Sequence, residues 1–138
     1  MKKKKSSVDV GLFSLFHSLE MASSAPIDLP TQLQYYEVRD TLLGRNYVKQ
    51  DVKRALELAT TCEHPEAQWL SKIFAGKDVK TPEEAREVFL AHEPDARALC
   101  FAAVIVGPAD HDRLRRAAEM GFAFAQAQFC LARFWPRL

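Results

Sequence analysis

The sequence predicts an all-α protein, an α-solenoid of short antiparallel helix pairs with about seven helices. From Thr31 onward, apolar residues recur at three- and four-residue spacing, whereas the strict alternation of a half-buried strand is missing. Glycine and proline interrupt this pattern at short intervals, which leaves room for short helices and none for a sheet. The 138 residues are enough for one domain with its own core.

The first three helices are predicted from their apolar spacing and from the residues that end them. Gly44 ends the first helix, the second runs from about Asp51 to Thr61, and the third begins at Pro65 and stops before Gly76. The residues that share one predicted face are Leu33, Tyr36, Asp40 and Leu43 on the first helix, Val52, Ala55, Leu56 and Ala59 on the second, and Ala67, Leu70, Ile73 and Phe74 on the third.

The fourth helix has the clearest start signal in the chain. Thr81 is placed as the N-cap, Pro82 occupies the first turn, and Glu84 completes a capping box. The other helices are bounded less sharply. We predict a fifth helix from Pro94, a sixth that follows Pro108 and ends at Gly121, and a seventh from about Ala123 to Phe134. The fifth is apolar almost all round from Ala98 to Val106 and is predicted to be the most buried element.

Residues 1–30 differ in composition from the helical part, and we predict a flexible, disordered basic leader followed by a helical domain at 31–138. Lys2–Lys5 supply four positive charges, whereas the net charge of the whole chain is +1, so the remainder is mildly acidic. An acidic balance argues against a nucleic-acid-binding face within the folded part. Within the leader, Gly11–Leu19 has the spacing of a short amphipathic helix, and Met21 is a second candidate start.

Short patterns recur along the helical part in a fixed order. His64–Ala67 and Glu93–Ala96 share the pattern x-Pro-acid-Ala, and Ala67–Trp69 and Ala127–Phe129 share Ala-Gln-aromatic. Alanine at matching positions lets two helices approach closely, and the aromatic residue fills the gap to the next pair. Each pair leaves one face uncovered until a neighbour stacks on it, so about three pairs make a stable array.

Four parts of the chain resemble the Sel-1-like repeat family, a relative of the tetratricopeptide repeats: Gly44–Ala55, Ala67–Trp69 with Phe74 and Gly76, Leu114–Gly121 and Ala127–Leu131. The resemblance implies an α-solenoid that acts as an adaptor or scaffold in protein complexes. The chain also departs from the family pattern. The repeat spacing of about 30 residues is shorter than the ~34 of tetratricopeptide repeats, the middle turn is reduced to Ala91–Glu93, and the three cysteines do not pair within repeats.

The residues that could carry chemistry favour structural roles, and we predict no catalytic residue, no cofactor and no metal site. Cys62 is expected to end a helix and His64 to cap the next one, because no second ligand pair follows at zinc-finger spacing. His111 lies at a predicted helix N-terminus, where its acidic neighbours complement the helix dipole. Cys100 and Cys130 have no basic neighbour one turn away, so neither thiol is expected to be activated.

Two features leave alternatives open. The cluster of Arg113, Arg115 and Arg116 is interpreted as a solvated helix face, or else as a contact for an acidic partner. The seventh helix has no predicted partner, and its apolar residues are Phe129, Leu131, Phe134 and Trp135. Three explanations stay open for this apolar end: the helix packs back as a cap, a partner covers it, or the chain is a fragment of a longer repeat protein.

We therefore predict a non-enzymatic protein–protein interaction module whose partners are proteins, with no membrane segment and no small-molecule or nucleic-acid ligand. The binding residues are expected on helix faces turned away from the core, such as Tyr35, Arg39, Lys72 and Arg97. The sparse, odd cysteine count indicates a reducing intracellular compartment, the cytoplasm, or the nucleus if Lys2–Lys5 act as a signal. The alternative is a nucleic-acid-associated protein that binds through Lys2–Lys5, with a steep salt dependence. A third class, an enzyme, would need a convergent acid–base site that the sequence does not indicate.

Overall fold

The computed structural model describes residues 27–134, with side chains through residue 131, and all regular structure in this range is helical. The helices are α1 (Leu29–Leu43), α2 (Val52–Thr60), α3 (Pro65–Ile73), α4 (Pro82–Leu90), α5 (Ala96–Val104), α6 (His111–Glu119) and α7 (Ala123–Phe134). The prediction of an all-α fold is confirmed. Lys2–Lys5, the Gly11–Leu19 segment and Trp135 lie outside the described residues. No helix in the described range combines the length and the apolarity that crossing a bilayer requires.

Packing follows the order of the chain, as in helical repeat proteins. Extensive contacts join α1 to α2, α2 to α3, α4 to α5, α5 to α6, and α6 to α7. Smaller contacts join the alternate helices α1 and α3, and α5 and α7. Between α3 and α4, the Trp69 and Phe89 rings stack with their centroids 6.1 Å apart. Within each of these two pairs, the alternate helices therefore lie side by side.

Helix α5 is the central element, as its sequence predicts. Every residue from Ala98 to Ala103 is buried. One side of α5, with Phe101 and Ile105, joins the larger core that α1 to α4 form. Its other side, with Leu99 and Cys100, packs with Leu114 of α6 in a smaller core that also includes α7. The two cores thus share one helix, and truncation of α5 side chains disturbs both.

The helices begin where their cap residues predict. Thr81 Oγ1 accepts a hydrogen bond from the Glu84 N–H at 3.2 Å, and Glu84 Oε1 accepts one from the Thr81 N–H at 3.1 Å, so the predicted capping box is confirmed. The fifth helix begins two residues later than predicted, at Ala96, because Asp95 caps it and accepts from the Arg97 N–H. Likewise α1 begins at Leu29, within the segment predicted as leader, because Asp28 caps it.

The buried face of α1 differs from the predicted stripe. Leu33 is 56% exposed, whereas Tyr35, Val38 and Leu42 are buried at the same helical spacing. The sequence offers two apolar stripes about one residue apart on the helix surface, and periodicity alone does not choose between them. Packing on α2 and α3 buries the second stripe. The Tyr35 hydroxyl of this stripe donates a hydrogen bond to Glu66, a residue of α3 that is distant in the sequence.

Candidate functional site

The guanidinium of Arg39 lies among three aromatic rings. Its central carbon is 5.0 Å from the centroid of Tyr36 and 5.4 Å from that of Tyr35, both on α1. It is 4.1 Å from the centroid of Phe124, at the start of α7. Such cation–π contacts contribute about 0.5–2 kcal/mol each, with the larger values where water is excluded. Arg39 therefore links the first helix of the array to the last.

A second arginine lies on a second ring. The guanidinium carbon of Arg97 on α5 is 4.3 Å from the Trp69 centroid on α3. Asp95 holds this guanidinium from one side, since its two carboxylate oxygens accept hydrogen bonds from Arg97 Nε at 3.1 Å and Nη2 at 2.8 Å. The planar guanidinium is thus fixed over the indole by a bidentate ion pair, a geometry that lysine does not reproduce.

Buried rings connect the two arginine sites. The centroid of Phe101 lies 6.2 Å from that of Trp69 and 6.1 Å from that of Phe124. Phe101 is completely buried, whereas Trp69 and Phe124 are half-buried. We use the term arginine–aromatic surface for Tyr36, Arg39, Trp69, Arg97 and Phe124. The alternate helices α1, α3, α5 and α7 each contribute to it.

A polar group of three residues lies beneath this surface. His64 caps α3 by accepting a hydrogen bond from the Glu66 N–H at 3.1 Å, and its ring stacks on Tyr35 with centroids 4.1 Å apart. The Tyr35 hydroxyl donates to Glu66 Oε1. Burial raises the pKa of Tyr35 well above its usual value, and the Glu66 charge adds to the effect. Tyr35 is therefore an uncharged donor at neutral pH.

The pKa of the Glu66 carboxyl is raised mainly by burial, against the opposing influence of Tyr35, Arg39 and Arg97. Because the folded protein holds this proton more tightly than the unfolded chain, the stability that Glu66 contributes falls as the pH rises above about 4.5, its ordinary pKa. We expect the Glu66→Gln variant, which still accepts from Tyr35, to become more stable relative to wild type as the pH increases. Urea unfolding of both proteins from about pH 4 to 8 measures this difference.

The matched control for this prediction is Glu57→Gln, because Glu57 is exposed on α2. Its stability difference from wild type should stay nearly constant over the same pH range. A Glu66→Gln difference that is constant, or that decreases with pH, would contradict the burial effect.

The described cysteines are free thiols, and Cys62 and Cys100 are buried whereas Cys130 is exposed. Burial raises the pKa of Cys100 to about 12, although Arg39 and Arg45 lie near enough to lower it. Sequence spacing missed these two arginines because they approach from another helix and its loop. The described part of the chain contains no group of three metal-ligating side chains. His64 caps α3, as predicted, whereas Cys62 lies two residues beyond the end of α2.

The basic residues of α6 pair with acids of the chain itself. Arg113 bridges Glu93 and Asp110, with 2.7 Å to each carboxylate. Arg115 lies between Asp112 at 2.8 Å and Glu119 at 3.0 Å. Arg116 also approaches Asp112, at 3.8 Å. These pairs occupy the guanidiniums with intrachain partners and favour the interpretation of α6 as a solvated face. His111 is exposed beside the cap residue Asp110, which accepts from the Arg113 N–H.

Of the four residues expected on binding faces, the structure brings two together. Arg39 and Arg97 belong to the arginine–aromatic surface. The prediction that Tyr35 lies on a binding face is wrong, because its side chain is 2% exposed and lies in the core below that surface. Lys72 is exposed and makes none of these contacts. The sequence reading missed Trp69 and Phe124 as surface residues, since an aromatic residue at helical spacing is typical of a core.

Comparison of the chain with protein-family models, with curated proteins and with solved structures finds no significant match. The function is therefore inferred from the geometry of the arginine–aromatic surface.

Proposed function

We propose that this chain is a non-enzymatic protein-interaction module, an adaptor or scaffold built from Sel-1-like repeats in a short α-solenoid. The observation that carries the proposal is the arginine–aromatic surface, which four alternate helices form together. Contacts between successive helices and the Ala-Gln-aromatic segments support a repeat architecture. In such an array the face of the alternate helices is a preformed surface for a partner.

The composition of this surface suits protein recognition. Tryptophan, tyrosine and arginine are the residues that contribute most to protein–protein binding energy. Trp69 and Arg97 are already held in place by stacking and by the ion pair to Asp95, so little side-chain entropy is lost when a partner binds. Both are half-buried, which leaves part of each planar group accessible.

We expect the tagged full-length protein to capture the same one or two proteins with and without nuclease, and to lose them on Arg97→Gln substitution. Affinity capture from the native cell lysate, read by quantitative mass spectrometry, measures this. The matched control is Lys72→Gln, which also removes one positive charge but lies outside the arginine–aromatic surface. Partners retained equally by both variants would contradict the proposed surface.

The nuclease arm separates this proposal from binding through the basic leader. Alanine substitution of Lys2–Lys5 should leave the captured proteins unchanged. Capture that disappears with nuclease or with these substitutions would replace the adaptor function by nucleic-acid binding. An empty capture would contradict both.

A further inference from the structure

Tyr47, in the loop between α1 and α2, is the most exposed of the large apolar side chains on the described surface. It is fully exposed, whereas Leu29, the next of these residues, is 68% exposed. A fully exposed ring covers no apolar surface of its own chain, so burial gives it no stabilising role. The core of the protein therefore does not explain why a tyrosine occupies this position.

The backbone of Tyr47 is also in an unfavourable conformation. Asn46 and Tyr47 have left-handed φ angles of 55° and 65°, and no other non-glycine residue in the described part of the chain has a positive φ. Asparagine tolerates this region, whereas the side chain of a bulky residue collides with its own backbone there. A strained residue that the fold nevertheless keeps is a feature of functional sites.

The connection between the two helices does not require this strain. The α1–α2 loop and the α3–α4 loop both contain eight residues, 44–51 and 74–81. They lead into similar helix starts, in which Val48 corresponds to Val79. In the second loop the left-handed residue is Gly76, and Asp78 occupies the place of Tyr47 without a positive φ. Two helices of this array can therefore be joined over this length without a left-handed tyrosine.

Hydrogen bonds hold the loop in place on both sides of Tyr47. Before it, Asn46 Nδ2 donates to both carboxylate oxygens of Asp40, at 3.1 Å each. After it, Gln50 Nε2 donates at 3.0 Å to the carbonyl of Ile105, just beyond the end of α5. The backbone that presents the tyrosine ring is thus ordered before any partner binds, so little loop entropy is lost on binding.

The surface around this tyrosine is positively charged. Lys49 lies two residues away, and Lys53 and Arg54 lie in the first turn of α2. All three are exposed, and none of them forms an ion pair with another described residue. The acid among them, Asp51, caps α2 and accepts from the Arg54 N–H at 3.1 Å. The chain apart from Lys2–Lys5 is mildly acidic, so this positive charge is a local feature.

We propose that Tyr47 is a binding residue whose ring enters an apolar pocket of a protein partner, while Lys49, Lys53 and Arg54 pair with carboxylates at the rim of that pocket. The inference rests on the proposed interaction function and adds a second contact with a stated partner chemistry. Tyrosine on an ordered loop is an effective anchor, because it offers a large contact area and few torsions to immobilise. A protein fits better than a single-stranded nucleic acid, whose successive bases stack on several rings along a charged groove.

The first test is the stability of the full-length Tyr47→Asn variant, which removes the ring and suits the left-handed backbone. We expect its Tm to rise by about 2–5 °C, because the strain is relieved and no buried contact is lost. The matched control is Lys77→Asn, at an exposed residue of the α3–α4 loop without a positive φ, and its Tm should not rise. A lower Tm for Tyr47→Asn would show that the ring stabilises the fold, and would overturn the inference.

The second test replaces Tyr47 by the photo-crosslinking residue p-benzoylphenylalanine in the tagged full-length protein. After irradiation in nuclease-treated native cell lysate, we expect a crosslinked protein whose attached segment contains aspartate or glutamate next to apolar residues, as mapped by mass spectrometry. An excess of untagged wild type should suppress the crosslink. Untagged Tyr47→Asn should suppress it at least roughly tenfold less effectively, the loss typical of an interface hot spot.

The basic residues are tested in the same competition. The untagged double variant Lys49→Gln with Lys53→Gln should compete more weakly than wild type, because it lacks two of the charges that face the acidic rim. The matched control is Lys72→Gln with Lys77→Gln, which removes the same charge at two exposed residues away from the α1–α2 loop. This control should compete as well as wild type.

Four outcomes would overturn the inference: no crosslinked protein, a crosslink to nucleic acid, equal competition by Tyr47→Asn and wild type, or equal competition by the Lys49 and Lys53 double variant and its control. The proposed function is decided separately by the capture experiment with Arg97→Gln. Captured proteins that Arg97→Gln loses and Tyr47→Asn retains would leave the interaction module intact and remove this second contact. A suppressible crosslink at position 47 together with unchanged capture by Arg97→Gln would remove the arginine–aromatic surface and leave the Tyr47 contact.

Discussion

Phe101→Ala should lower the free energy of unfolding by about 3–5 kcal/mol, the range for a buried phenylalanine truncated to alanine. Phe101 is fully buried, and its ring lies 5.4 to 6.3 Å, centroid to centroid, from those of Phe89, Trp69, Phe124 and Phe122. Removal of the ring leaves a cavity where α3, α4, α5 and α7 meet. Urea unfolding followed by circular dichroism measures the loss, and the steepness of the transition reveals any loss of cooperativity.

The control for Phe101→Ala is Leu33→Ala. Leu33 is a large apolar residue that is 56% exposed, so its truncation should change stability by less than about 0.5 kcal/mol. Equal losses for the two variants would contradict the central position of Phe101. A large loss for Leu33→Ala alone would show that α1 buries the stripe predicted from the sequence rather than the one that contains Tyr35.

The helices of this chain could be predicted from the sequence because the signals that define them are local. The capping box of Thr81 and Glu84 closes within four residues, and Gly44 ends α1 by adopting a left-handed conformation next to the last turn. The burial of α5 could also be predicted, since apolar residues from Ala98 onward leave no polar face to solvate. Each of these features depends only on residues within one or two helical turns.

The arginine–aromatic surface could not be predicted in this way, because its contacts join residues that are distant in the sequence. Arg39 meets Phe124 only after the intervening helices have packed, and Gln50 reaches the carbonyl of Ile105 under the same condition. The burial of Tyr35 depends on the acceptor that Glu66 supplies from another helix. A tyrosine on an apolar stripe has no local signal that reports whether such a partner exists.

Gly44→Ala is the second substitution with a large expected effect, and a matched glycine separates its two causes. Gly44 and Gly76 have nearly the same left-handed φ, +72° and +74°. An added Cβ at Gly44 would lie 2.8 Å from the Cβ of Gln50, whereas at Gly76 nothing lies within 4 Å. We expect Gly76→Ala to cost about 1 kcal/mol from backbone strain alone. Gly44→Ala should cost about 3 kcal/mol, because the clash with Gln50 adds to the strain.

The clash at Gly44 also affects the connection between the α1–α2 loop and the end of α5. If Gln50 shifts to accommodate the Cβ, its hydrogen bonds to Leu42 and Ile105 weaken and the loop that carries Arg45 loses an anchor. We therefore expect Gly44→Ala, under conditions where it is still folded, to exchange the amide hydrogens of residues 45–50 faster than Gly76→Ala does. Unfolding curves and amide hydrogen exchange of both variants test the two effects separately. Equal unfolding free energies for the two variants would show that Gln50 yields without cost. A stability loss in Gly44→Ala with unchanged amide exchange in this loop would show that the order of the loop does not depend on the Gln50 anchor.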